Sequence, residues 1–280
     1  MKKCINRVCL SLLLLCCAGI VEAASVDTLA IYSPKMGRDI RTLVVVPDVA
    51  KAKVKRGAEA TALPVLYLLH GYSGREVSWM ALRDLRPAAD EYGMLIVCPN
   101  GENSWYWDSP TRDSSQFESF ISRELPSYVD SHYPTIADRS GRAIAGLSMG
   151  GHGAMWNAIR NKDVFGAAGS MSGGLDLRPF PEKWMMKDQL GDMASNQDRW
   201  DEYTVINALG ELQNKELSII VDCGVDDFFI DVNRNFHEAL VEKGITHDYI
   251  ERAGAHTAQY WRNSIVYQMF YFHQFFQSGK

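Results

Sequence analysis

The stretch Arg142-Ala143-Ile144-Ala145-Gly146-Leu147-Ser148-Met149-Gly150-Gly151-His152-Gly153-Ala154 decides the fold, because it holds the one G-x-S-x-G match in the chain. An apolar strand signal, Arg142 to Gly146, runs into it, and a helix pattern, Met149 to Asn161, runs out. A serine placed between a strand and a helix sits on a sharp turn that lifts its hydroxyl above the sheet. Gly146 and Gly150 let neighbouring chain segments approach where a side chain would clash. The backbone N–H of Met149 then points at the oxygen of a reacting carbonyl. The plainer alternative is a glycine-rich turn that packs a helix on a sheet; the further residues described below weigh against it.

Outward from this turn, apolar runs alternate with helix patterns. Strand signals fall at Val65–Leu69, Met94–Cys98, Arg142–Gly146, Gly166–Met171, Leu217–Asp222 and Thr246–Arg252, with an earlier one at Thr42–Val46. Helix patterns end near Tyr92, with Pro87 in the first turn, and cover Gln116 to His132, where Pro126 is expected to kink or split the helix. Others cover Met149 to Asn161, Val232 to Lys243 and about Tyr260 to Phe276. Continuous apolar strands between helices predict a mostly parallel sheet with helices on both faces, an α/β architecture, and the early strands suit an antiparallel start. Between Gly173 and Asn214 no strand signal appears, and Trp184, Met185, Met186 and Trp200 lie there. Such a segment is either a functional cap over residues 174–214 or a helical insertion that pads the sheet edge.

The serine needs a histidine base and a carboxylate to orient it, in the chain order Ser, acid, His for this architecture. Of the five histidines after Ser148, His152 lies one helical turn beyond it, His237 and His273 sit in helix patterns, and His247 lies in a strand signal. His256 alone occupies a loop directly after the last strand, which makes it the candidate base. The loop after Leu217–Asp222 reads Cys223-Gly224-Val225-Asp226-Asp227, and Asp227 is the candidate acid, with Asp226 and then Asp231 behind it. A second glycine-containing turn, His70-Gly71-Tyr72-Ser73-Gly74, follows the first buried strand. It predicts the Tyr72 amide as the second oxyanion donor beside Met149, with His70 structural. Aromatic faces suited to sugar rings or aromatic acids are offered by Trp105 and Trp107 after strand 4, Trp184 in the insertion and Trp261 after His256. Each has core packing as its alternative. No H-E-x-x-H or EF-hand spacing occurs, so neither metal nor cofactor is expected.

Together, Leu69-His70-Gly71-Tyr72-Ser73-Gly74, Asn103-Ser104-Trp105-Tyr106-Trp107-Asp108-Ser109-Pro110, Gly146-Leu147-Ser148-Met149-Gly150-Gly151, Cys223-Gly224-Val225-Asp226-Asp227-Phe228 and Gly254-Ala255-His256-Thr257-Ala258-Gln259-Tyr260-Trp261-Arg262 resemble the putative-esterase family. That family includes esterase D (S-formylglutathione hydrolase), tributyrin esterase, feruloyl and acetylxylan esterases, and mycolyltransferases. The resemblance spans most of the chain and implies an α/β-hydrolase fold of eight strands in the order 1-2-4-3-5-6-7-8, with a helical insertion after strand 6. It implies a Ser148, Asp227, His256 triad. Two departures stand out. Ala258 replaces a larger residue and implies a wider pocket near His256, and Ser33 to Ile40 has a relative in the mycolyltransferases, which pass the acyl group to a sugar hydroxyl. Gly150-Gly151 is closer to the hydrolases. The strand order separates Cys98 from Cys223 by several strands at about 4.8 Å each, too far for a disulfide.

Composition sets the remaining bounds. The chain has 280 residues, 46% hydrophobic and 22% charged, with a net charge of −5. That balance is globular and argues against a nucleic-acid footprint. Lys2, Lys3 and Arg7 precede an apolar run, Val8 to Val21, and small residues follow, so 1–23 reads as an export signal ahead of one domain, 24–280. Cleavage after Ala23 would shift the net charge to −7 and leave Cys98 and Cys223 as the remaining cysteines. Lipid attachment at Cys16 or Cys17 is the alternative, disfavoured because Leu15 and Cys16 precede them. The mature chain is then expected in the periplasm or outside the cell, with no transmembrane span. It is expected to be a serine esterase acting on carbohydrate-linked feruloyl or acetyl esters. The rivals are acyl transfer to a sugar, hydrolysis of small esters or S-formylglutathione, and a non-catalytic carbohydrate-binding relative.

Overall fold

The computed structural model describes residues 23–50 and 62–278. The expected export signal, apart from Ala23, lies outside the described residues. Eight strands form one sheet: β1 (Ser25–Ser33), β2 (Arg38–Val46), β3 (Val65–Leu69), β4 (Leu95–Pro99), β5 (Arg142–Leu147), β6 (Ala167–Met171), β7 (Ser218–Gly224) and β8 (Asp248–Arg252). Their order is β1-β2-β4-β3-β5-β6-β7-β8, the order implied by the resemblance. β1 pairs β2, and β2 pairs β4, antiparallel; the remaining neighbours are parallel.

The central strands are legible because both faces are covered. Val65, Tyr67 and Leu69 of β3 face one buried cluster, while Leu66 and Leu68 face the other. Burial on both faces gives such a strand a near-continuous apolar run. β1 had no such signal: it is an edge strand, and only Ile31 and Ser33 of its nine residues are buried.

Helices α1 (Ser78–Leu82) and α2 (Arg86–Tyr92) cover one face together with the long C-terminal α10 (Ala258–Ser278). The other face carries α3 (Phe117–Ser119), α4 (Leu125–His132) and α5 (Met149–Arg160). A π-helical turn, Phe120–Glu124, joins α3 to α4, and the Leu125 amide donates to the Phe120 carbonyl. Pro126 sits in the first turn of α4, where its missing N–H costs least; the expected split therefore takes the form of one widened turn. After β6 come α6 (Met186–Leu190), α7 (Gln197–Glu202) and α8 (Val205–Ala208), and after β7 comes α9 (Ile230–Glu242).

The insertion packs on the body of the domain. Met186, Leu190, Trp200 and Val205 are buried in the same cluster as α5. The hydroxyls of Ser109 and Thr111 donate to the Gln189 carbonyl at 3.0 and 2.9 Å. Most of the segment thus pads the helical layer, and Trp184 alone extends to the pocket described next. Cys98 and Cys223 are free, buried thiols, separated in the sheet by β3, β5 and β6. Burial pushes both thiols well up from their ordinary values. No helix among the described residues is long and apolar enough to cross a membrane.

Candidate active site

Ser148 has φ 54° and ψ −117°, a conformation that costs an L-residue on the order of 1–3 kcal/mol. The surrounding contacts hold it there. The Ser148 amide donates to the Met171 carbonyl at 2.9 Å, and the His152 amide donates to the Ser148 carbonyl at 3.0 Å. The two elbow glycines are needed for space. A Cβ on Gly146 would lie 2.3 Å from the Gly150 carbonyl, and one on Gly150 would lie 2.3 Å from the Leu69 carbonyl oxygen. α5 therefore begins pressed against the end of β3, the strand that leads into Tyr72.

Ser148 Oγ lies 2.9 Å from His256 Nε2. His256 Nδ1 lies 2.9 Å from both carboxylate oxygens of Asp227. Asp227 is 2% exposed, and its Oδ1 also accepts the Phe229 amide at 2.9 Å. Asp226 and Asp231, the alternatives left by the sequence, are exposed. The order of polar groups is fixed by what each can do: the serine hydroxyl donates to Nε2, which leaves the ring proton on Nδ1 for the carboxylate.

A buried network fixes the two loops that carry Asp227 and His256. Asp222, fully buried near the end of β7, accepts from Tyr260 Oη at 2.5 Å, Ser264 Oγ at 3.0 Å and Arg252 Nη2 at 2.5 Å. Arg252, at the end of β8, also stacks over the Tyr260 and Tyr267 rings. Burial raises the Asp222 carboxyl, opposed by these donors and the Arg252 charge. The Val225 amide donates to the Arg252 carbonyl, and the Asp226 amide to the Gly254 carbonyl, both at 2.9 Å. The acid loop is thereby stitched to the strand end and loop that lead to His256.

Met149 directly follows the serine, and Tyr72 lines the same cleft as Ser148. Met149 opens α5, so its N–H has no partner within the helix and lies at the positive end of the helix dipole. Among the described residues, the Tyr72 amide has no hydrogen-bond acceptor. Its loop is braced by His70, which is buried: Nδ1 donates to the Gly71 carbonyl and Nε2 accepts the Gly101 amide, each at 2.8 Å. With both nitrogens used in this way the ring is neutral, and burial lowers its pKa.

A cleft of 470 Å³ opens on Ser148 and His256, and Tyr72, Leu82, Leu147, Trp184, Phe228 and Trp261 are among its walls. Phe228 lies over His256 with ring centres 4.2 Å apart, and Trp261 meets the same ring edge-on at 4.8 Å. Trp184 stacks on Phe228 at 5.7 Å. Ala258 also lines the cleft. Phe228 directly follows Asp227, and its 51% exposure at the cleft is a feature no sequence pattern reveals. Trp105 and Trp107 do not reach the cleft. They are 1% and 0% exposed and pack beneath the elbow, edge-to-face with His152 at 5.3 and 4.9 Å. The expectation that they form an aromatic rim is thus corrected: the loop after β4 folds under α5, where indole area is worth more as core.

His152 is fully buried there, and its Nδ1 donates to the Gly174 carbonyl at 2.8 Å. Burial lowers its pKa from 6.5 to about 4. Between those values the unfolded chain binds a proton that the folded chain does not. Stability is therefore full above pH 6.5, falls as the pH drops, and has lost about 3 kcal/mol from this group by pH 4. His70 acts in the same direction. Urea unfolding of His152→Gln is expected to show a shallower loss of stability between pH 7 and 4.5 than the parent chain; equal slopes would refute the assignment.

The family model described as "Putative esterase" matches residues 33–272. An acetyl esterase of Caldicellulosiruptor saccharolyticus is 27% identical over 249 residues, covering 84% of this chain and 93% of that protein. The S-formylglutathione hydrolase of Bos taurus is 28% identical over 214 residues, covering 67% and 74%. Among solved structures, a ferulic acid esterase superposes with a TM-score of 0.77 at 26% identity, covering 90% of this chain and 98% of its own. A fluorophosphonate-binding serine hydrolase of Staphylococcus aureus gives 0.80 at 22% identity, covering 90% and 99%, which is a likeness of fold. With the family match spanning most of its length, the chain belongs to this esterase family and is an α/β-hydrolase that cleaves esters.

Proposed function

We propose that this is an exported serine esterase that cleaves feruloyl or acetyl esters of plant polysaccharide through an acyl-enzyme on Ser148. The observation that carries the reading is the hydrogen-bonded line Ser148–His256–Asp227 at the foot of a cleft walled by Trp184, Phe228 and Trp261. Ser148 Oγ attacks the ester carbonyl as His256 Nε2 takes its proton. Asp227 holds the ring with the proton on Nδ1 and stabilises the imidazolium that forms. The Tyr72 and Met149 amides receive the developing oxyanion, a contribution on the order of 10²–10³ in turnover for each such donor. His256 then protonates the departing alcohol and activates the water that releases the acid. The aromatic walls suit a flat aromatic acyl group or a sugar face.

A contact at Ala24 supports the export reading. Ala24 is buried, and its amide donates to Asp90 Oδ2 at 2.9 Å. Cleavage after Ala23 would turn that amide into an ammonium facing a carboxylate, a stronger contact. The test uses the secreted chain, whose N-terminus should sequence from Ala24. On feruloylated, acetylated arabinoxylan it is expected to release ferulate or acetate. Cleavage of simple aryl acetates with no release from the polysaccharide would overturn the substrate assignment, and transfer of the acyl group to an added sugar would overturn hydrolysis.

A further inference from the structure

Beside the cleft lies a second, smaller hollow of 210 Å³, lined in part by Glu102, Asn103, Arg112, Met185 and Gln189. The two hollows have no lining residue in common but are joined by neighbouring residues. Trp184 lines the first and Met185 the second. Ser73, a wall of the first, donates its amide to Asn103 Oδ1, in the second, at 2.7 Å. A substrate with its carbonyl at Ser148 and a long alcohol half can therefore continue over this wall.

The polar groups of the second hollow are unbalanced toward donors. Asn103 uses its carbonyl oxygen for Ser73, which leaves its amino group for a ligand. Gln189 is 3% exposed, its carbonyl oxygen accepts from Ser115 Oγ, and its amino group has no acceptor among the described residues. Arg112 is exposed and has no ion pair among the described residues. The one acid, Glu102, is already neutralised by Arg38, which binds both its oxygens at 2.6 and 3.1 Å. Two planar amides and a free guanidinium match a planar anion that accepts several hydrogen bonds.

We infer that this hollow is a subsite for a carboxylate on the leaving half of the substrate, alcohol or thiol, with Arg112 as its charge partner. The inference rests on the esterase reading of Ser148 and adds a specificity that reading does not contain. Two sources carry such a carboxylate: a uronosyl residue beside the esterified sugar, or the free carboxylates of a glutathione thioester.

The test is a ratio of kcat/KM values for matched pairs. One pair is an acetylated xylo-oligosaccharide bearing a glucuronosyl branch and the same compound with that carboxyl reduced to the alcohol. The other is S-acetylglutathione and its diethyl ester. The parent enzyme is expected to favour the carboxylate member of one pair about fivefold, mainly through KM. The preference should shrink with added salt, because Arg112 is exposed, and should fall to near unity in Arg112→Gln. Which pair shows it identifies the source. Turnover of both members at equal kcat/KM in both pairs overturns the subsite while leaving the esterase reading intact, as does a preference that survives in Arg112→Gln. Failure to cleave any of the four compounds while aryl acetates are hydrolysed overturns the subsite alone; with aryl acetates also untouched it overturns the esterase reading as well.

Discussion

Ser148→Ala is expected to lower kcat for aryl-ester hydrolysis by about 10⁶-fold, with the protein still folded. The loss is large because the hydroxyl is the atom that forms the acyl bond, and nothing else in the cleft can replace it. Stability should change little. The oxygen's one hydrogen bond among the described residues is to His256, and the strained backbone at residue 148 is held by main-chain bonds that alanine keeps. A melting temperature within a few degrees of the parent, measured on the same preparation, separates lost chemistry from lost fold. A residual rate above that of water is expected from the Tyr72 and Met149 amides, on the order of 10³-fold. A variant that keeps more than a few per cent of parent activity would contradict the mechanism.

The second large effect distinguishes two adjacent aspartates. Asp227→Asn is expected to lower kcat about 10⁴-fold, because an amide at that position no longer holds the His256 proton on Nδ1 and no longer balances the imidazolium. Asp226→Asn should retain activity within about twofold, since its side chain is exposed and its structural contribution is a backbone amide bond to Gly254, which the substitution preserves. Steady-state kinetics of the two variants in parallel decide the matter. Equal, small losses in both would remove Asp227 from the mechanism.

At these adjacent aspartates the residue order and the geometry agree. The loop positions of Ser148 and Asp227 were readable because each follows a strand buried on both faces, whereas His256 follows β8, an edge strand with no buried residue. The sequence already placed Asp227, three residues after Gly224, ahead of Asp226, and the backbone path there turns the Asp227 carboxylate inward and leaves that of Asp226 exposed. His256 was separable from the four other histidines that follow Ser148 by its place in a loop, and the distances agree: His237 and His247 bond each other instead, at 2.7 Å.

The aromatic residues were not separable in this way. A Trp-Tyr-Trp run looks the same whether its rings face solvent or core, and the turn that sends Trp105 and Trp107 under α5 depends on positive φ angles at Trp105 and Tyr106 that neither residue type signals. Trp184 and Trp261 do line the cleft, yet their sequence environments are no more telling. Phe228 lies within the Cys223-to-Phe228 motif, where the adjacent aspartates carry the stronger signal. β1 was hidden for the opposite reason, since an edge strand with one thinly covered face carries too few apolar residues to stand out. The Asp222–Arg252–Tyr260–Ser264 network joins residues up to 42 apart in sequence, and nothing local foretells it.

In this mechanism Ser148 is the residue that becomes acylated. The direct measurement is intact mass spectrometry of residues 24–280 after treatment with a fluorophosphonate, followed by mapping of the labelled peptide. One phosphonyl group per chain, located on Ser148 and absent from Ser148→Ala, is the predicted result. A label on any other residue, or one that persists in Ser148→Ala, would contradict it.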